Sequence, residues 1–226
     1  LAANVILFIF AKNIQEHFHI LFQMKKLLFA IVTAAILWAF MFSPWTSPHL
    51  NFWAVMTASA LVLTTMSVLM TPDFRKQWPI SFKEIALGIV AAAILWGVFW
   101  IGNKLSSLIF SFARPEVNLI YGMKTGHNNL IIAALLLIII GPAEEIFWRG
   151  LIQRKLTVKY GTVAAFISTT LIYALVHIWS FNFMLIAAAG VCGGFWGLLY
   201  AWRKNLTVVV VSHALWDVAV FIAFPI

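Results

Sequence analysis

The chain has 226 residues, of which 63% are hydrophobic and 10% charged, with a formal net charge of +8. So apolar a composition excludes an ordinary soluble domain. The cations lie between apolar runs instead of forming a stripe with interleaved aromatics, which argues against nucleic acid as a partner. Cys192 is the single cysteine, so the chain can form no internal disulfide.

In chain order, the first feature is Met24-Lys25-Lys26 ahead of an apolar run, the pattern of a natural start with a basic flank. Residues 19–23 resemble the end of an appended linker. Residues 1–23 are therefore set apart as an appended or extra segment, and 24–226 are read as a single transmembrane domain. Apolar runs follow at 25–43, 50–70, 84–103, 128–153, 161–179, 182–202 and 206–225, each long enough to cross a hydrocarbon core as a helix. The fold class is thus all-α, a polytopic transmembrane bundle of seven to eight spans around an intramembrane polar cavity. Its chemistry is concentrated in 128–226.

The cations give the orientation. Lys25, Lys26, Arg75, Lys76, Lys83, Arg149, Arg154, Lys155, Lys159, Arg203 and Lys204 fall on one side, which the positive-inside rule makes cytoplasmic. The expectation is a multi-pass cell-membrane protein with the end near Met24 inside and the C-terminus outside. Lys104, Arg114 and Lys124, in the longer connection, break the pattern. Trp45, Trp78, Trp179 and Trp202 read as anchors at the headgroup level. Gly190 with Gly194, and Gly193 with Gly197, read as small-residue pairs for close helix packing.

Ionisable groups within a span are costly, at least about 2.5 kcal/mol each for Asp, Lys or Arg, so those that are present call for a reason. They are Glu144, Glu145 and Arg149 in the fourth span, His177 in the fifth, and His213 with Asp217 in the last. The Gly141-Pro142 pair suggests a helix start at Pro142 or Ala143, with both glutamates in its first turn, where a helix N-terminus favours negative charge. Glu145 and Arg149, four apart, should pair. Glu144, turned about 100° away, is free to point elsewhere. Tyr173 with His177 and His213 with Asp217 are each four apart, so three helices each offer a polar stripe.

A carboxylate with neighbouring histidines can take a proton from water, and a second His with an acid partner can donate to the oxyanion formed on an attacked carbonyl. Glu144, His177 and His213 are equally a ligand set for zinc, which would activate water by lowering its pKa. The residues leave both routes open. No His-Glu-x-x-His helix occurs, so a zincin site is not indicated. A transporter relay through the same groups, or a non-catalytic scaffold, are the competing functions. The absence of symmetry between the halves weighs against the relay.

Together, Glu144-Glu145-x-x-x-Arg149, Tyr173-x-x-x-His177 and His213-x-x-x-Asp217, in that order from Gly141 to Asp217, resemble the CAAX-protease and bacteriocin-processing family, also called Abi or CPBP. The resemblance implies an intramembrane peptidase acting on a membrane-associated peptide or protein, prenylated or not, in contact with membrane lipid. It implies Glu144 as the base on water, His177 as its partner and His213 with Asp217 as the oxyanion pair, supported by Glu145 and Arg149. It also implies an active-site cavity open to the cytoplasmic side, and a metal-free mechanism in the CAAX-processing branch. Two departures stand out: Tyr173 replaces a frequent Phe, and Asp217 stands where eukaryote-like members carry Asn.

Overall fold

The structure is a computed structural model that describes residues 2–226, with the side chains of 1–14 and 16–21 outside the described set. Seven of its helices are long and apolar enough to cross a membrane. Helix α1 is Ala2–Phe42, of which Phe22–Phe42 is the candidate span. The reading of residues 1–23 as an appendage falls largely on side chains outside those described. Helix α2 is Phe52–Met70, N-capped by Asn51 Oδ1 on the Ala54 amide at 3.1 Å, and α3 is Phe82–Ile109, N-capped by Ser81. The short α4, Ala113–Gly122, lies in the connection before α5, Asn129–Tyr160. Helix α6 is Thr162–Leu175, α7 is Phe183–Arg203 and α8 is Leu206–Ala223.

Helix α5 is the axis of the bundle. Every residue from Ala143 to Gln153 is buried, and α5 packs against α2, α6, α7 and α8. A second strong pairing joins α3 to α8, where a Cβ on Gly88 would meet Val211 Cβ at 2.8 Å and Val208 O at 2.9 Å. Helices α6 and α7 pair along Gly193 and Gly197, whose added Cβ atoms would lie 3.0 Å from the Tyr173 and Phe166 rings. Gly190 faces the same neighbour more loosely, at 3.9 Å from Ala174 Cβ. Gly194 meets nothing within 4 Å, so the small-residue face is 190, 193 and 197 rather than both expected pairs.

The expected helix start at Pro142 or Ala143 is corrected. Ile140, Gly141 and Glu145 all keep right-handed helical dihedrals, and the chain passes through this point as helix. Two π-helical stretches, Leu136–Ile140 and Ile146–Gln153, flank a short α segment, Gly141–Glu145. A π turn shifts the hydrogen-bond register by one residue, which accommodates the missing proline N–H without ending the helix, and such turns are frequent at functional sites. Gly141 serves packing: a Cβ there would lie 2.9 Å from Ala214 Cα of α8. The two glutamates therefore have no helix terminus to stabilise them, and their partners are side chains: Arg149 on the same helix, and Tyr173 and His213 on others.

The tryptophans divide by position. Trp45, Trp179 and Trp202 are exposed near span ends, as anchors should be, and Trp78 is partly buried. Trp38, Trp148 and Trp196 are fully buried in the centre.

Candidate active site

Glu144 and Glu145 project from the α segment between the two π stretches, into different surroundings. Glu145 is completely buried, and its Oε1 accepts from Arg149 Nη1 at 2.7 Å and contacts His213 Nδ1 at 2.8 Å. Arg149, also fully buried, donates its second terminal nitrogen to Gly193 O at 3.1 Å, so the guanidinium ties α5 to α7 at a glycine that allows the approach. The predicted Glu145–Arg149 pair is present, with His213 as an added member. Isolated ions at this depth would be costly, and the shared set offsets part of that penalty, with Glu145 Oε2 and Arg149 Nε left without a partner among the described residues.

Glu144 faces the other way. Its Oε2 accepts from Tyr173 Oη at 2.7 Å, so the hydroxyl that distinguishes this position from Phe is the group that holds the free carboxylate. His177 sits just past the end of α6. Its Nδ1 contacts Tyr173 O at 2.8 Å, and its Nε2 accepts from Trp38 Nε1 at 3.1 Å. An indole N–H only donates, so Nε2 carries a lone pair and Nδ1 carries the proton. His177 makes no hydrogen bond to Glu144 among the described contacts; Tyr173 stands between them.

His213 is held on three sides. Glu145 takes Nδ1, Asp217 Oδ1 lies 3.5 Å from Nε2, and the Trp196 ring stacks on the imidazole at 3.7 Å between centroids and 17° between planes. Trp196 is itself fixed by donating to Ser212 Oγ at 3.1 Å. The Asp217 contact is longer than a good N–H···O bond, so this N–H is the less firmly committed of the two.

Glu144, Tyr173, His177, His213 and Asp217 all line one cavity of about 440 Å³. The rest of its wall is mostly apolar, including Phe42, Trp53, Phe99, Trp216 and Phe221. A largely apolar cavity with a few convergent polar groups is the usual form of a substrate site. Its lining comes from the end of α1, the start of α2, the last turns of α3, α4, the start of α7 and the end of α8. All of these lie at the end of the bundle opposite Lys76, Arg154 and Lys204. Helix α4 covers this end: Tyr121 Oη donates to Val220 O at 3.0 Å, Lys124 Nζ to Phe221 O at 2.7 Å, and Asn182 Nδ2 to Glu116 O at 2.9 Å. Burial pushes the Tyr121 phenol above its ordinary pKa, which keeps it a neutral donor at the rim. Lys124 and Lys104, exceptions to the charge pattern, have local tasks: one satisfies a carbonyl at the end of α8, and the other lies 3.6 Å over the Trp100 ring.

The zinc set of Glu144, His177 and His213 does not fit the geometry. Both nitrogens of His177 are engaged, Nδ1 by Tyr173 O and Nε2 by the Trp38 indole N–H. Among the described residues no group of three or more His, Cys, Asp or Glu side chains is placed to hold a metal ion.

Three features escaped sequence reasoning: the Trp38 bond to His177, the Trp196 stack on His213, and the second bond of Glu145. Trp38 lies 139 positions from its partner, in a span with no motif. A tryptophan among apolar residues gives no sign of where its N–H points. The i to i+4 spacing of Glu145 and Arg149 identified one partner of the carboxylate, but the partner on α8 depends on tertiary packing.

Comparison with curated proteins and with solved structures finds no match. Residues 126–219 match the family described as Type II CAAX prenyl endopeptidase Rce1-like. That segment holds Glu144, Glu145, Arg149, Tyr173, His177, His213 and Asp217, and the match supports membership of the CAAX protease family.

Proposed function

We propose that the chain is an intramembrane endopeptidase that cleaves a membrane-associated peptide, near its C-terminus or its membrane-proximal part, by means of water activated at Glu144. The observation that carries this reading is the convergence of Glu144, His177, His213 and Asp217, from α5, α8 and the segment after α6, on one buried cavity. Tyr173 Oη holds one oxygen of Glu144 and so orients the other toward the cavity as the base on water. The water oxygen attacks the scissile carbonyl. The N–H of His213 at Nε2, loosely held by Asp217, turns to the oxyanion, while Glu145 and Arg149 keep the imidazole in place. The proton on Glu144 then passes to the leaving amine.

His177 serves as the partner of Glu144 at the cavity wall, as a neutral ring fixed by Trp38 and Tyr173. The engagement of both its nitrogens supports a glutamate route over a metal one. The apolar wall suits a peptide carried by a lipid-embedded segment, prenylated or not.

The cation pattern and the cavity mouth together bear on which side is served. With the cation-rich end in the cytoplasm, the mouth under α4 faces the other side, so the charge rule and a cytoplasm-facing cavity exclude each other in this bundle. We take the charge rule as the guide: the C-terminus lies outside and substrate enters from the non-cytoplasmic side.

The test is cleavage of a panel of membrane-associated peptides by the purified protein, comparing wild type with Glu144→Ala and His177→Ala, each with and without a strong chelator. Loss of cleavage in both variants and chelator resistance in the wild type are expected. Chelator-sensitive cleavage would return the metal route. Unchanged cleavage in both variants would leave a scaffold as the better reading.

A further inference from the structure

A second cavity, of about 240 Å³, lies at the opposite end of the bundle from the peptidase site. Its rim carries Lys76 from the α2–α3 connection, Arg154 from α5 and Lys204 from the end of α7. One acidic neighbour, Asp73, pairs with Lys76 at 2.9 Å, so the rim keeps a net positive charge. Three cations on one rim with a single carboxylate among them leave an excess of positive charge that an anion would relieve.

The rest of the cavity is also arranged for an anion. Helix α6 begins at this rim with Thr162, and its N-cap is Gly161 at φ 81°, a conformation that favours glycine. No side chain caps this helix, so its first-turn N–H groups are offered to a ligand or to solvent. With the Gln77 amide turned to the orientation that satisfies both of its atoms, Gln77 Oε1 would accept from Arg154 Nη1 at 3.2 Å and its Nε2 would donate to Gly150 O at 3.1 Å. At the floor lies Gln153, 1% exposed, whose Nε2 donates to Gly197 O at 2.8 Å and whose Oε1 has no partner among the described residues. A buried acceptor without a donor is costly and asks for a hydroxyl or ammonium hydrogen.

A phosphate among the cations with a hydroxyl a few bonds away satisfies both ends of the cavity. We infer that this cavity binds a phosphate ester bearing a neighbouring hydroxyl, as in the phosphoglycerol head group of an anionic lipid, with the phosphate between Arg154, Lys204 and the start of α6 and the hydroxyl on Gln153 Oε1. The position agrees with a lipid source, because Thr162 and Lys204 lie at span ends, Lys76 in the connection between two spans and Arg154 in the last turns of another, the level at which head groups are found. The inference is independent of the peptidase reading, since none of these residues lines the first cavity.

The test measures thermal unfolding and native mass spectra of the full chain in neutral detergent with phosphatidylglycerol, phosphatidylcholine or glycerol phosphate. The proteins are wild type, Lys76→Gln/Lys204→Gln, whose positions are both exposed, and Arg154→Gln. Phosphatidylglycerol is expected to raise the unfolding temperature and to remain as a bound adduct. The double variant should bind it about 30-fold more weakly at about one charge contribution per cation. Glycerol phosphate reproducing the full shift would assign the site to a soluble phosphate ester with the same chemistry. Equal shifts with phosphatidylcholine, or equal affinity in all three proteins, would overturn the inference.

Discussion

Tyr173 and Trp38 show how single donors set up this site. Tyr173→Phe removes the hydroxyl on Glu144 and little else, since the ring still packs against Trp148 and His177. We predict that kcat falls about tenfold while stability changes by about 1 kcal/mol, as measured by cleavage kinetics beside thermal unfolding. Trp38→Phe keeps an aromatic ring but leaves His177 Nε2 unpaired. Because His177 is positioned through Trp38, we expect a lower kcat, by about tenfold, with KM little changed. A raised KM at unchanged kcat would instead make Trp38 part of the substrate-binding wall. The ionisable residues themselves were legible in the sequence because charge within a span is rare. Their neutral partners were not, because Trp and Tyr are common in apolar spans for reasons of bulk alone.

At the scale of elements, all seven apolar runs correspond to helices, with boundaries shifted by a few residues in most and by more at the ends of α3 and α5. Hydropathy reads length well because the bilayer core fixes it. The Gly141-Pro142 pair misled for a physical reason: proline normally ends a helix, but here flanking π turns absorb the missing donor and glycine admits α8. Local sequence cannot distinguish a break from a bulge when the cause is the approach of another helix. Gly141→Ala puts a Cβ 2.9 Å from the backbone of Ala214, which cannot yield as a flexible side chain would. The expected cost is about 1–3 kcal/mol, with a loss of activity as α8 carries His213 away from Glu145. Gly194→Ala, with nothing within 4 Å, is the matched control and should unfold like the wild type.

On the scale of the whole molecule, two polar systems occupy opposite ends of one apolar bundle: the candidate active-site cavity under α4 and the cationic rim around Arg154. The charge rule makes the orientation testable with Cys192→Ser protein carrying Ser47→Cys or Lys159→Cys, labelled in intact cells by an impermeant thiol reagent. Labelling at position 47 alone is expected, and labelling at 159 alone would place the cavity mouth in the cytoplasm. The sequence indicated both ends through its cations, but it could not say which end the cavity opens to, because the mouth is formed by span ends far apart in the chain.

Whether Glu144 or its neighbour activates water is decided by comparing Glu144→Gln with Glu145→Gln, each nearly isosteric, in cleavage and in thermal unfolding. Glu145 shares its oxygen between Arg149 and His213 in a fully buried set, so Glu145→Gln should lose both stability and activity. Glu144→Gln should unfold like the wild type yet cleave about 10²–10⁴-fold more slowly, the range expected for loss of a general base. A folded Glu144→Gln protein that cleaves at the wild-type rate would contradict the account.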